Sequence, residues 1–374
     1  MSAEQPAQTG FLPIVPDDLP EGWTSRVPDE GDVDELIALV SEAKKAIDGS
    51  GAVEDELIAS EAVGEASWTR RQVVVLDPTG IIKVWARVHD RAAGRSNIDL
   101  TTDPQLGGEV EDRLAPSLLS WAEDVALRIT RGRGLGGTRL DVSVHEDDDR
   151  LRCLLEDYGF SHARTWLQMS RPVQEDDADL ATTHAREGVV VRQVSRYEDG
   201  TPVAADLQAV YRMIEESFAD HFNSYRESFP EFLARLREAP GHRWDHWWIA
   251  DIEVEGQWVP GGAVAAAVLP EDASGEHGTY IDYIGVHRLA RGRGVAKSLL
   301  HAVLADTARR GRNRVSLEVD ADSPTGADGL YESMGWVTRY RTESWHRDVV
   351  AEGSDAPVPQ ARLDEASDGA SDDA

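Results

Sequence analysis

The chain has 374 residues, more than one compact domain usually needs, so two domains are expected. Its 38 Lys and Arg residues against 69 Asp and Glu residues give a net charge of −31, which disfavours binding to nucleic acid or to anionic membranes. The single cysteine, Cys153, excludes an internal disulfide and a cysteine-rich metal cluster. The longest apolar stretch, about residues 261–269, is too short to span a bilayer, and the start has no signal-peptide pattern. We therefore expect a cytoplasmic protein.

Composition divides the chain into two halves of similar size. Residues 1–20 are predicted to form a flexible leader, and 351–374, rich in Ala, Ser, Gly and Asp, a disordered acidic tail. The polar run 174–187 is predicted to be an interdomain linker. The domains that remain are 21–173 and 188–350.

The two halves share one order of elements. Each is predicted to have a short strand, a helix, paired strands, a long amphipathic helix, a Val-rich strand and a helix ending in Gly-aromatic. The matching segments are Thr24–Val27 with Val189–Val194, Val33–Ile47 with Ala204–Ser217, Leu140–Val144 with Val315–Val319, and Tyr158-Gly159-Phe160 with Met334-Gly335-Trp336. This order indicates an old duplication.

The strongest chemical signal is a glycine-rich turn between a strand and a helix. The strand ends at Val286, the turn contains Arg291-Gly292-Arg293-Gly294, and a helix is predicted from Val295. Unpaired N–H groups and the dipole at a helix N-terminus favour an anion there, and glycine lets a ligand come close to the backbone. The pattern is neither a P-loop nor a dinucleotide-binding fingerprint.

Local charge supports an anionic ligand at this turn. Between Arg288 and Arg314 there are eight basic residues and one acid, Asp306, so this segment carries +7 within a chain of −31. A basic helix C-terminus accounts for the arginines from Arg309 to Arg314. It does not account for the Arg-Gly-Arg-Gly turn at the start of the helix.

Two motifs in this half resemble the GNAT superfamily of acyl-CoA N-acyltransferases. Arg291-x-x-Gly294-x-Ala296 matches the family's Q/R-x-x-G-x-G/A pyrophosphate loop, and residues 330–336, LYESMGW, match its LYExxGF ending. The resemblance implies an α/β fold of two tandem GNAT units, each a mixed, mostly antiparallel sheet with flanking helices. The tandem arrangement resembles that of mycothiol synthases.

The resemblance also implies where acetyl-CoA binds. The backbone of Ile284, Gly285 and Val286 would hold the pantetheine arm between two splayed strands. Ser323 stands where the family has an Asn that bonds the cofactor arm. The pyrophosphate would meet the backbone amides of one run of residues: Arg291, Gly292, Arg293, Gly294, Val295 and Ala296. No metal is predicted.

The resemblance assigns catalytic roles as well. Tyr331 lies where the family places the acid that protonates the departing thiolate. Tyr280 occupies the position of the family's usual Glu base. We therefore predict Asp282 as the base, through a water if needed, with Glu318 as the alternative.

Signals for the acceptor are weaker. Residues 218–222 lie where the family forms the acceptor pocket, and Trp244, Trp247 and Trp248 fit either pocket or core. His242, Asp245 and His246 are more typical of chance spacing than of a metal site.

The first half is predicted to be a degenerate copy that binds no CoA and packs on the second half. Acidic residues follow Gly107-Gly108, which stand where the second half has its glycine-rich turn. Leu155 stands at the position that Tyr331 has in the second half. The second Arg-Gly-Arg-Gly run, from Arg131, follows a helix instead of opening one.

The predicted function is acetyl transfer from acetyl-CoA to a primary amine of a small molecule. Two alternatives stay open: a non-catalytic CoA-binding module, and acetylation of a cysteinyl sugar as by the mycothiol synthases.

Overall fold

The structure is a computed structural model that describes residues 15–16, 18–49, 51, 53–91, 94–184, 186–217, 227–269, 271, 275–323 and 326–351. Nearly all of the predicted leader and tail lies outside these ranges.

Strands account for much of the described chain. In order they are β1 Thr24–Arg26, β2 Arg70–Leu76, β3 Ile82–Arg91, β4 Arg95–Thr102, β5 Gly137–His145, β6 Ser161–Pro172, β7 Val189–Gln193, β8 His242–Val254, β9 Gln257–Leu269, β10 Gly278–Val286, β11 Arg314–Asp320 and β12 Val337–Val350.

Helices separate many of these strands. The α-helices are α1 Val33–Asp48, α2 Asp55–Ala62, α3 Gly108–Gly132, α4 Asp149–Asp157, α5 Leu180–Thr183, α6 Ala204–Ser217, α7 Phe229–Glu238, α8 Val295–Arg309 and α9 Ala327–Ser333. Short 3-10 helices cover Glu30–Asp32, Glu65–Thr69, Glu175–Asp179 and Arg288–Ala290.

The twelve strands of the described ranges belong to one continuous sheet. Its order is β1-β2-β3-β4-β5-β12-β6-β11-β10-β9-β8-β7. Most neighbours are antiparallel, and β4–β5 and β10–β11 are parallel. Helices cover the sheet, so the predicted α/β class with a mixed, mostly antiparallel sheet is confirmed.

The last strand of each half lies next to the other half. β6 pairs with β11, and β12 pairs with β5. As a result Leu167 and Met169 belong to the core around α8, while Trp345 and Val349 belong to the core around α3. Each hydrophobic core therefore includes a strand from the other half of the sequence.

The predicted linker is packed against α8. Arg171 forms a two-bond ion pair with the buried Asp177, at 2.8 and 2.9 Å. Arg309 donates to the carbonyl oxygen of Ala178 at 3.0 Å. The segment thus has a fixed position beside the helix that opens at the glycine-rich turn. Among the described residues, no helix is both long and apolar enough to cross a membrane.

Candidate active site

The strands β10 and β11 separate halfway along their length. Parallel pairing runs from Gly278 and Arg314 to Ile281 and Leu317 and continues no further among the described residues. Beyond this point β10 pairs with β9 and β11 pairs with β6. The edge of β10 that carries Ile284, Gly285 and Val286 therefore faces a cleft in place of a strand.

A β-bulge lies at the mouth of this cleft. Ile281 pairs with Ala266 and Tyr283 pairs with Ala265, so Asp282 is the extra residue. A bulge bends the strand and redirects a side chain. The sequence predicted Asp282 as a candidate base, whereas the bulge depends on pairing that local sequence does not reveal.

The glycine-rich turn has the conformation that the sequence predicts. Gly292 and Gly294 adopt φ values of 79° and 81°, which favour glycine. The amide of Ser298 donates to the carbonyl of Gly294 as α8 begins, so the amides of Val295, Ala296 and Lys297 precede the first bond of the helix. Within the turn, the amides of Arg291 and Arg293 donate to the carbonyls of Arg288 and Ala290 at 3.4 and 3.3 Å. The other amides from Gly292 to Ala296 can meet an anion, and the role of the whole run in binding the pyrophosphate stays a prediction.

A cation that the sequence did not indicate lies over this turn. A Cβ placed on Gly294 would be 3.3 Å from Nε of Arg186, an exposed residue in the segment between the halves. Burial, followed by the charges of His184, Arg171, Lys297 and Arg186, lowers the pKa of His301 on α8 to about 4. Arg186 is far from the turn in sequence, so only the folded chain brings it there.

Tyr331 is buried beside the cleft. It is 6% exposed and lies in the same hydrophobic cluster as Ile281 and Val319 of the two separating strands. Its ring packs edge-on against that of Trp336, with the ring centroids 6.0 Å apart. Burial raises its pKa to about 12. Its hydroxyl makes no hydrogen bond within the described part of the chain. At neutral pH Tyr331 is a protonated phenol, as an acid must be.

The two candidate bases lie on opposite sides of the separation. Burial raises the pKa of Asp282 to about 7, opposed by the positive charge of Arg235. Burial also raises the pKa of Glu318, which accepts a hydrogen bond from Gln168 of β6. The pKa of Tyr280 is raised by burial and then by the charges of Glu318 and Asp282. Both carboxyl groups therefore act electrostatically on Tyr280.

The remaining predicted residues are Ser323, the predicted acceptor-pocket segment and the histidines near β8. Ser323 lies in the turn after β11, where its amide donates to the carbonyl of Asp320 at 3.1 Å. Residues 218–222, predicted to line the acceptor pocket, fall outside the described ranges. His246 contacts Asp245 at 2.7 Å and Arg312 at 2.6 Å. The described residues contain no group of His, Cys, Asp and Glu arranged to hold a metal.

The corresponding positions in the first half have a different character. The helix α3 carries Glu109 and Glu111 in its first turn, where an anion would be repelled. It ends at Gly132, so the Arg-Gly-Arg-Gly run from Arg131 lies at a helix C-terminus, as predicted. Leu155 is fully buried on α4.

The described residues bring together an opened parallel strand pair, a glycine-rich turn at a helix start and a buried phenol. Residues 207–336, which contain all three, match the acetyltransferase (GNAT) family. The chain therefore contains a GNAT acetyltransferase domain and is an acetyltransferase. This result favours an enzyme over the non-catalytic module.

Curated relatives agree with this class. The chain is 29% identical over 260 residues to a mycothiol acetyltransferase of Salinispora arenicola (strain CNS-205), covering 66% of this chain and 74% of the relative. It is 25% identical over 349 residues to a mycothiol acetyltransferase of Frankia casuarinae, covering 84% of this chain and 94% of the relative.

Solved structures support the fold over most of the chain. A GCN5-related N-acetyltransferase from Sphaerobacter thermophilus is 22% identical with a TM-score of 0.65, covering 89% of this chain and 98% of that one. A tandem GNAT protein from the clavulanic acid biosynthesis pathway is 13% identical with a TM-score of 0.59, covering 87% and 98%. At these identities the likeness establishes a shared fold.

Proposed function

We propose that this protein transfers an acetyl group from acetyl-CoA to a primary amine of a small molecule. The observation that carries the proposal is the opening between β10 and β11 directly before the turn at Gly294. The cytoplasmic location expected from the sequence stays part of the proposal.

The cofactor would be held by backbone groups. The free edge of Ile284, Gly285 and Val286 can pair with the pantetheine arm as an added strand would. The amides of the turn from Arg291 to Ala296 would receive the pyrophosphate, with Arg186 as an added cation. Ser323 would contact the cofactor arm through its hydroxyl.

The chemistry is direct attack. An alkyl amine arrives protonated, with a pKa of roughly 10 as for Lys, so a base must remove a proton before the nitrogen attacks the thioester carbonyl. Asp282 takes that proton, and Glu318 is the alternative. The tetrahedral intermediate then collapses, the C–S bond breaks, and Tyr331 donates its proton to the sulfur. The extra proton that the nitrogen still carries restores the Tyr331 phenol, and the proton on Asp282 is released to solvent. The products are the amide and CoA.

The first half would serve structure and acceptor binding. Its helix α3 opens with acids, and its last strand supplies Gln168 to Glu318 across the sheet. We propose that it packs on the catalytic half and covers the acceptor. Relatives named mycothiol acetyltransferase support a second candidate acceptor, a cysteinyl sugar.

Release of free thiol from acetyl-CoA in the presence of a panel of amines tests this function. Thiol should appear only when an amine is present, and the amide product should appear in equal amount. The absence of amine-dependent release across simple amines and cysteinyl sugars would contradict the proposal.

A further inference from the structure

A polar cavity lies between the two halves of the chain. Its volume is about 180 Å³. Part of its lining comes from the first half and part from α7 and the residue after it in the second half. The lining residues are Leu57, Ala66, Arg70, His89, Arg91, Arg235, Glu238 and Ala239.

Two of its three arginines have close carboxylate partners. Arg70 pairs with Glu238 at 3.0 Å and with Glu61 at 3.0 Å. Arg235 is held by Glu227 through two bonds of 2.6 Å each. These pairs neutralise most of the charge on Arg70 and Arg235.

Among the described residues, Arg91 has no comparably close partner. Its ion pair there is with Glu227 at 3.8 Å, and both oxygens of that group already accept from Arg235. Its Nε is buried without a hydrogen-bond partner, and burial, then the charge of Arg235, lowers its pKa. The side chain is 23% exposed, so a ligand can reach it.

The remaining titratable group in the cavity adds no charge. Burial and then the charges of Arg70, Arg91 and Arg235 lower the pKa of His89 to about 2. At neutral pH His89 is a neutral imidazole. Glu61 also pairs with Arg87 at 3.2 Å, so four arginines of the described chain share the carboxylates of Glu61, Glu227 and Glu238. One positive charge is in excess, and Arg91 has the longest ion pair of the four.

The cavity adjoins the candidate base. Arg235 lines it and also lies over the ring of Tyr283 at 5.1 Å. Tyr283 directly follows the bulged Asp282, and the charge of Arg235 acts on that carboxyl group. A molecule that reaches from Arg91 past Arg235 thus approaches the bulge in β10.

We propose that this cavity binds a carboxylate of the acceptor through Arg91, so that the substrate is an amine that also carries a carboxylate. The inference rests on the proposed function and names its substrate class. The carboxylate supplies a closer counter-ion than Glu227, which Arg235 already holds, and Arg can bind it through two parallel bonds. A neutral acceptor would leave the buried Nε of this arginine without a partner and its charge only weakly compensated, which is unfavourable.

Matched substrates test the proposal on the unaltered protein. γ-Aminobutyrate and its carboxamide have the same length and differ in the anionic group. A series of longer ω-amino acids, each with its carboxamide, measures the distance between the carboxylate site and the reacting amine. We expect kcat/KM for the carboxylate to exceed that for the carboxamide by about 10- to 100-fold in the best pair, the usual range for a hydrogen-bonded charge. Equal rates within every pair would overturn the proposal.

Variants assign the effect to one residue. Arg91→Gln should remove the preference by slowing the carboxylate alone, and Arg91→Lys should retain part of it. Arg71→Gln is the control, because Arg71 is exposed on the adjacent strand β2 and should keep the full preference. If Arg91→Gln retains the preference, the cavity does not bind the carboxylate.

Binding without catalysis separates this proposal from the proposed function. Butyrate and butyramide carry no amine that could react. NMR saturation transfer should show that the wild type binds butyrate but not butyramide. The Arg91→Gln variant should bind neither. Butyrate binding together with no amine-dependent thiol release would support the cavity and contradict the acetyl transfer. Equal binding of butyramide would overturn the cavity proposal alone.

Discussion

Asp282 and Tyr331 owe their protonation states to burial in the fold around the cleft. The pKa of Asp282 is raised to about 7 and that of Tyr331 to about 12. Between these values the carboxyl group is ionised and the phenol is protonated. This is the combination that a base and an acid of one reaction need near neutral pH.

The raised pKa of Asp282 predicts a specific pH dependence. Below about pH 7 the base becomes protonated while the amine is also mostly protonated, so kcat/KM should fall more steeply than it does above 7. Asp282→Asn should lower kcat/KM by about 10²- to 10⁴-fold and remove the steeper limb. An unchanged profile in this variant would move the role to Glu318.

Stability measurements provide the control for that variant. The folded pKa of Asp282 lies above its ordinary value of 3.8, so the stability of the fold falls as the pH rises from about 3.8 to about 7 and stays lowered above that pH. Asparagine does not ionise. Above pH 7 the variant should therefore melt no lower than wild type, and its loss of activity is not a loss of folding.

Tyr331→Phe tests the acid. The substitution keeps the ring that packs on Trp336 and removes the proton donor. We expect kcat to fall by about 10²- to 10⁴-fold with little change in the KM for acetyl-CoA. Full kcat on a true substrate would exclude Tyr331 from the mechanism.

Local spacing made some of these residues predictable. The turn at Gly294 and the frame around Tyr331 are short motifs, each within one turn and one helix. The roles proposed for Arg186 and Arg91 depend on neighbours remote in sequence, and the bulge at Asp282 depends on the register with β9. No local pattern indicates such contacts.

The exchanged last strands join the two halves at the level of elements. β6 lies between β11 and β12, and β12 lies between β5 and β6. Because β6 supplies Gln168 to Glu318, the exchange also brings the first half to the cleft. Neither half has its full core without the other.

A core substitution in β12 should therefore destabilise the first half. Trp345 is 5% exposed in the core around α3, and Trp-to-Ala changes in cores cost about 3–5 kcal/mol. Hydrogen exchange of Trp345→Ala should accelerate in β5 and α3. Trp258→Ala is the control, because Trp258 is 52% exposed. Acceleration confined to the second half would contradict the exchange.

The sequence predicted the positions of helices and strands more accurately than the pairing of the strands. The predicted helix Ala204–Ser217 matches α6 at both ends, and the predicted strand Val315–Val319 lies within β11. Alternating and helical apolar patterns determine such segments. The exchange of β6 and β12 was not predictable, because two similar halves offer each last strand two similar neighbours.

At the scale of the whole molecule, charge separates the two halves. The chain carries −31, yet the segment from Arg288 to Arg314 carries +7. The first turn of α3 carries Glu109 and Glu111 in the matching position. A polyanion such as CoA should therefore find one site per chain, in the second half.

Calorimetric titration with acetyl-CoA tests this central claim most directly. Gly294 and Gly134 each end an Arg-Gly-Arg-Gly run and adopt φ values of 81° and 71°. Gly134→Trp therefore matches the backbone strain of Gly294→Trp without altering the proposed pyrophosphate turn.

Wild type and Gly134→Trp should each bind one equivalent, whereas Gly294→Trp should be folded and bind none, since its side chain would fill the pyrophosphate position. Binding by Gly294→Trp at wild-type affinity, or two equivalents on the wild type, would contradict the account.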